Sequence, residues 1–191
     1  MSPAPAKIRV AVLGTGNMAS QHARLFAADP RVELVATADV DAPRAAKFAE
    51  RHGVAKSFGS LDEMLAWGRF DAITNVTPDA AHYPTTMKII AAGKHVLCEK
   101  PLAMNTAEGE EMCRAVEKAG VVNTVWYNYR RVPAIALAKQ LVDEGRIGRP
   151  FHYWATYNQD YTIGANVPQG GLALWRLDVK VAGSGVTGDL L

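Results

Sequence analysis

Leu13 to Ala19 reads LGTGNMA, a G-x-G-x-x-A turn whose residue types suit the holding of a diphosphate. Gly14 permits a tight turn, Gly16 lets the backbone come close to a ligand, and Ala19 is small enough for a following helix to pack on a sheet. The backbone around Thr15, Gly16, Asn17 and Met18 would then face the phosphates, where the positive end of the helix dipole adds its attraction. The turn lies between an apolar β-branched run and a helix-forming run, the setting this chemistry needs. An acid, Asp39, follows 25 residues beyond Gly14 at the end of the next apolar run. A carboxylate there would accept hydrogen bonds from the ribose hydroxyls of an adenine dinucleotide and repel a 2′-phosphate, favouring NAD over NADP. Arg44 leaves NADP open, because its guanidinium could meet that phosphate or stack on adenine. Asp39 could instead cap the helix starting near Pro43, a role for which Asp41 is nearer.

Lys100 is the second chemical candidate. It follows a short apolar run, at what would be the carboxyl end of a strand, where parallel sheets gather ligands. An amine beside a substrate hydroxyl can hydrogen-bond it and stabilise alkoxide charge as a hydride leaves the same carbon, and a histidine can take the proton. The alternative is a surface lysine paired with Glu99. His22, His52, His82, His95 and His152 lack metal-ligand spacing, so no metal is expected. Cys98 and Cys113 form no CxxC pair and are expected to be two reduced, buried thiols. His95 and His152 read as structural, and Tyr153, Trp154, Tyr157 and Tyr161 as a packing surface.

Positioning these residues requires alternating strands and helices. Lys7–Leu13 reads as a buried strand, and Val32–Asp39, Asp71–Val76, His95–Cys98 and Val121–Trp126 read as further strands. Asn17–Ala28, Pro43–His52, a short helix begun by the capping box Ser60–Glu63, Asp79–Ala92 and a helix from Asn105 to Lys118 separate them. Links of this length make the strands parallel with right-handed crossovers. The expected fold is α/β, a doubly wound parallel-sheet domain over 1–126. From 127 to 191 the texture changes: a helix at Val132–Glu144, an aromatic strand at Phe151–Asn158, then glycine- and proline-rich sequence. That part reads as the opening of a second domain that stops before a core could close.

Composition bounds the partners. The 191 residues are 49% hydrophobic and 21% charged, a globular balance with a formal charge of +2. Charges of both signs are interspersed and the longest basic run is Arg130-Arg131, so no nucleic-acid footprint is expected. No apolar run approaches the ~20 residues of a membrane helix. The N-terminus puts a charge and a strand where a secretory signal would put its apolar stretch, so a cytoplasmic location is expected.

Two further stretches narrow the reading: NVTPDAAHYPTTMKIIAAGKHVLCEKPLA, Asn75 to Ala103, and NYRRVPAIALAKQLVDEGRIGRPF, Asn128 to Phe151. With the glycine turn, they resemble the Gfo/Idh/MocA oxidoreductases over essentially the whole chain. The resemblance implies a Rossmann domain that binds NAD or NADP and a hydride transfer at a hydroxyl carbon of a sugar or cyclitol. It implies that Thr77-Pro78 line the cofactor groove, with His82 on the next helix, and that Glu99-Lys100-Pro101 lie beside the nicotinamide. Lys100 would contact the substrate hydroxyl. Glu99 would orient Lys100 or only solvate the turn, and Pro101 would follow a cis bond, against the trans default. Asn128-Tyr129-Arg130 would lead into the substrate domain, with Arg130 bordering the cofactor.

Trp175-Arg176 resemble the family's WR segment, and Asp189 the aspartate of its catalytic Asp-x-x-x-His pair. The histidine of that pair would fall two residues past Leu191. Members of the family run to roughly twice this length for two domains, and the resemblance implies that 127–191 are the incomplete beginning of an α+β open-sheet domain. The expectation is therefore a cofactor-binding portion, homo-oligomeric when full length, with turnover by this polypeptide absent or slow. An NAD-dependent glycosidase of the same superfamily and a non-catalytic nucleotide-binding fragment are the alternatives.

Overall fold

Val10, Ala11, Val12 and Leu13 are buried on both sides, as the β-branched, uncharged run predicts, and they place the first strand at the centre of the sheet. A computed structural model describes residues 6–158. Its order is β1 (Ile8–Leu13), α1 (Asn17–Ala28), β2 (Val32–Ala38), α2 (Ala42–His52), β3 (Lys56–Phe58) and α3 (Leu61–Trp67). Then come β4 (Ala72–Asn75), α4 (Asp79–Ala91), β5 (His95–Cys98), α5 (Thr106–Ala119) and β6 (Asn123–Val125). A 3-10 turn at Asn128–Arg131 leads to α6 (Pro133–Asp143).

The six strands lie in the order β3-β2-β1-β4-β5-β6, all parallel. This is the doubly wound arrangement, with chain order reversing between β1 and β4. Alternation along the strands feeds two cores. Ala11, Leu13, Ala36, Ala38, Ile73 and Val96 face one way, against Leu61 and Met64 of α3, Ile89 and Ile90 of α4, and Phe70. Val12 faces the other way and packs with Ala19 and Ala23 of α1 and Phe48 of α2. Small side chains at 19 and 23 let α1 sit close to the sheet, so its first turn is held over the end of β1.

Helix boundaries follow local chemistry. The Asp41 carboxylate accepts from the Arg44 amide at 3.0 Å and starts α2. At α3 the Ser60 hydroxyl accepts from the Glu63 amide at 3.2 Å, and the Glu63 carboxylate accepts from Gly59 at 3.1 Å. Asn105 accepts from Glu108 at 3.0 Å and starts α5.

Three local expectations change. The strand β3 is not anticipated: only three residues long, it pairs with Ala36–Ala38 alone and carries too little pattern to be read. The expected aromatic strand at 151–158 is not a strand, because no neighbouring chain among the described residues offers it a ladder. Phe151, Tyr153 and Trp154 stand more than four-fifths exposed. Cys98 is buried as expected, but Cys113 is exposed, since it lies on the outer side of α5 next to the buried Met112. No residue of α6 is buried among the described residues. None of the described helices is long and apolar enough to cross a membrane.

Candidate functional site

One row of hydrogen bonds defines the carboxyl edge of the sheet. Just past each strand end, a backbone amide donates to the last residue of its neighbour: Asp39 to Phe58, Gly14 to Ala38, Val76 to Leu13, Glu99 to Asn75 and Trp126 to Cys98. The distances run from 2.7 to 3.2 Å. The row brings the acid after β2, the glycine turn after β1, the TP turn after β4 and the lysine turn after β5 to one edge. Strands lie about 4.8 Å apart, so Gly14 and Glu99, two strands removed, are about 10 Å apart across the edge.

The two glycines of the turn differ in what they are for. Gly14 has φ +83°, and a Cβ built on it would lie 2.6 Å from the Val76 carbonyl oxygen. The fold itself demands glycine there. Gly16 has an ordinary φ of −76°, and a Cβ built on it meets nothing within 4 Å. No contact among the described residues requires glycine at 16. It is also the N-cap of α1, where no side chain caps the helix and no acid occupies the first turn. The leading amides of α1, with Gly16, Asn17 and Met18 exposed around them, form an open positive cradle that fits a diphosphate.

Asp39 is 5% exposed and held by four groups. Its Oδ2 accepts from the Thr15 amide at 2.8 Å, the Thr15 hydroxyl at 2.7 Å and Arg44 Nε at 3.2 Å. Its Oδ1 accepts from Arg44 Nη2 at 2.6 Å and the Asp41 amide at 3.0 Å. Burial acts to raise this carboxyl, but the Arg44 guanidinium, then the Asp41 amide and Thr15, outweigh it and hold the group at about 2. Asp39 thus ties the glycine turn to β2, and Asp41 takes the helix cap. Arg44, half exposed, covers the carboxylate.

The TP turn is organised from beneath. Asn75, fully buried at the end of β4, donates from Nδ2 to the hydroxyls of Thr85 and Thr86 at 2.8 and 3.0 Å. Its Oδ1 accepts from the Thr77 hydroxyl at 2.8 Å and the Thr77 amide at 3.3 Å. Pro78 is exposed and heads α4. His82 is fully buried, with Nδ1 2.6 Å from the Pro101 carbonyl and Nε2 2.9 Å from the Thr77 carbonyl. It lies between the TP turn and the lysine turn with both nitrogens on backbone oxygens.

Glu99 faces inward. Its Oε1 is 2.9 Å from His22 Nε2, and its Oε2 accepts from the Lys100 amide at 3.1 Å. Lys100 is half-buried, and the Lys100–Pro101 bond is cis, as the resemblance implies. His95 accepts from the Val122 amide at 3.1 Å, a structural bond between β5 and the approach to β6. Burial pushes the Cys98 thiol up to about 12, so it is inert. Arg130 is exposed in the 3-10 turn. Trp175, Arg176 and Asp189 lie outside the described residues. No group of three or more His, Cys, Asp or Glu suited to a metal occurs among the described residues.

Two residues of the site escape sequence reasoning. His22 shares the buried face of α1 with Ala19, Ala23 and Phe26, and one polar residue on such a face was the available signal. Asn75, a buried amide ending an apolar strand, was the other.

An amide cradle at a helix start, an acid after the second strand and a ligand edge at the chain reversal define a dinucleotide-binding domain of Rossmann type. The chain belongs to the Gfo/Idh/MocA family: residues 8–129 match that family, described as an oxidoreductase family with an NAD-binding Rossmann fold. It is 34% identical over 191 residues to the levoglucosan dehydrogenase of Pseudarthrobacter phenanthrenivorans, covering 96% of this chain and 48% of that protein. It is 34% identical over 148 residues to the NAD-dependent scyllo-inositol 2-dehydrogenase of Bacillus subtilis, covering 77% of this chain and 43% of that one. A levoglucosan dehydrogenase structure in complex with NADH and L-sorbose superposes with a TM-score of 0.85 at 33% identity, covering 96% of this chain and 50% of that one. The chain thus spans about half the length of the curated relatives it matches.

Proposed function

We propose that this chain is the cofactor-binding part of an NAD-dependent oxidoreductase acting on a hydroxyl carbon of a sugar or cyclitol. The observation that carries the reading is the row of amides from Asp39 through Gly14 and Val76 to Glu99, which sets the phosphate cradle and the Lys100 turn along one edge. The relatives named as levoglucosan and scyllo-inositol dehydrogenases support the substrate class.

Bound nicotinamide would supply a hydride acceptor beside the lysine turn. The chain's own groups do the rest. The leading amides of α1 neutralise the diphosphate. Asp39 would accept from the adenosine ribose, and its charge disfavours a 2′-phosphate. The Lys100 ammonium hydrogen-bonds the substrate hydroxyl and stabilises the negative charge that grows there as the proton departs. The TP turn, fixed by Asn75 and His82, walls the groove between these groups.

We place a domain boundary near residue 126, with 127–191 opening a substrate domain. The exposed Ile135, Leu137, Phe151 and Trp154 support this, since such a surface is ordinarily covered by further protein, in a homo-oligomer when full length. A cytoplasmic location remains part of the proposal.

The test is reduction of NAD by a panel of cyclitols and sugars, with this chain and with any longer polypeptide containing it. Binding of NADH with substrate-dependent NAD reduction in at least one of these is expected. Lys100→Ala should lower kcat by about a hundredfold or more while leaving the NADH Kd within about threefold. Absence of NADH binding, or an unchanged kcat in the variant, would refute the assignment.

A further inference from the structure

His22 is 4% exposed and lies where three strand ends meet one helix. Its Nε2 faces Glu99 Oε1, a carboxylate that can only accept, so Nε2 carries the proton and donates. The Thr74 hydroxyl, 2.9 Å from Nδ1, can then donate to the other nitrogen, and both are satisfied. The opposite oxygen of Glu99 holds the Lys100 amide. The Trp126 ring lies 4.7 Å from the His22 ring, and Phe26 closes the cluster edge-on at 6.1 Å from Trp126. The imidazole thus has one packed orientation.

From these contacts we infer that His22 is a positioning residue: through Glu99 it fixes the backbone of Lys100 relative to α1, the helix whose first turn cradles the diphosphate. The inference rests on the proposed dehydrogenase reading for its kinetic consequence but not for its structural one. A cofactor docked on the start of α1 and an amine placed after β5 must agree in distance for hydride transfer, and small misplacements are costly. The connection Thr74–His22–Glu99–Lys100 joins α1 and β4 directly to the residue after β5. A neutral oxygen would satisfy a histidine that merely filled the core, whereas the desolvated Glu99 carboxylate is tolerated because its two oxygens are engaged by His22 and the Lys100 amide.

The experiment compares His22→Asn, whose amide reaches only the Nδ1 position, with His22→Gln, whose amide reaches the Nε2 position and can still donate to Glu99. His22→Phe keeps a ring against Trp126 and Phe26 but offers Glu99 no donor, and it leaves Glu99, the acceptor of the Lys100 amide, in place, so a folding failure of His22→Asn leaves the test intact. The first readout, on the 191-residue chain, is hydrogen exchange of the Lys100 amide, with the Thr15 amide as internal reference. We expect exchange at Lys100 to accelerate about tenfold or more in His22→Asn and His22→Phe, to stay near wild type in His22→Gln, and to be unchanged at Thr15. The second readout is kinetic, in whichever polypeptide turns over: kcat should fall about tenfold or more in His22→Asn with KM for NAD within about threefold, and His22→Gln should recover it. Equal acceleration at Lys100 and Thr15, or unaltered exchange at Lys100 in both His22→Asn and His22→Phe, overturns the inference. If the wild type never turns over, the dehydrogenase reading fails by itself, and the exchange measurement still decides the role of His22.

Discussion

Replacing each glycine of the phosphate turn by alanine should separate folding from ligand binding. At Gly14 an added methyl must occupy φ +83° and approach the Val76 carbonyl oxygen at 2.6 Å, closer than real Cβ contacts come. The left-handed backbone costs about 1–2 kcal/mol. The displaced partner is backbone in the sheet ladder, because the Val76 amide donates to Leu13 at 2.7 Å, so relief requires breaking or shifting that bond at about 1 kcal/mol more. Gly14→Ala should therefore destabilise the chain by about 2–3 kcal/mol. At Gly16 the same methyl enters open space at an ordinary φ. The weaker N-cap of alanine costs about 0.5 kcal/mol, and reduced freedom of the unfolded chain returns a similar amount. Gly16→Ala should leave stability within about 0.5 kcal/mol while raising the NADH Kd about tenfold or more, since the methyl stands in the cradle. Denaturant unfolding measures the first quantity and NADH fluorescence titration the second. A stable Gly14→Ala, or a Gly16→Ala that binds NADH like wild type, would show the assignment of the two glycines to be wrong.

Other outcomes follow from the same contacts. Asp39→Asn should weaken NAD binding and narrow the preference over NADP about tenfold, read by parallel titrations; an unchanged ratio removes Asp39 from the ribose site. The Asp39 carboxyl is held at about 2, below its ordinary 3.8, so its stabilisation is full above about pH 4 and is lost as pH falls towards 2. Discounted for the half-exposed Arg44, it is worth about 1–2 kcal/mol, and the stability gap between wild type and Asp39→Asn should close over that range. With a thiol reagent at neutral pH, Cys113 should react within minutes and Cys98 only on unfolding, and mass spectrometry of the labelled peptides checks this. Phe70→Ala, which empties a fully buried position under β1 and β4, should cost about 3–5 kcal/mol in denaturant unfolding.

The parts of this fold that could be read in advance are those whose signal is local. Helix α1 runs from Asn17 to Ala28 as the residue types predict, and the Ser60 and Asn105 caps make the expected bonds. β3 could not be read, because three residues at a sheet edge have almost no periodicity. The aromatic run at 151–158 has the composition of a strand, but a strand exists only where a partner does. At the site, the glycine turn, Asp39 and Lys100 could be picked out by residue type and order. What they do depends on contacts between residues far apart in sequence: Asp39 with Thr15 across 24 residues, His22 with Glu99 across 77. Thr77 and His82 are engaged with Asn75 and with backbone carbonyls. Only the folded arrangement could reveal that.

The two hydrogen bonds that Thr15 donates to Asp39 have a kinetic corollary. A loop anchored at its amide and its hydroxyl is already in its receiving shape, so a dinucleotide loses little entropy in ordering it. Association should then be a single diffusive step with a rate linear in ligand concentration, and Thr15→Val, which cuts one anchor, should make that rate level off as loop closure becomes the slow event.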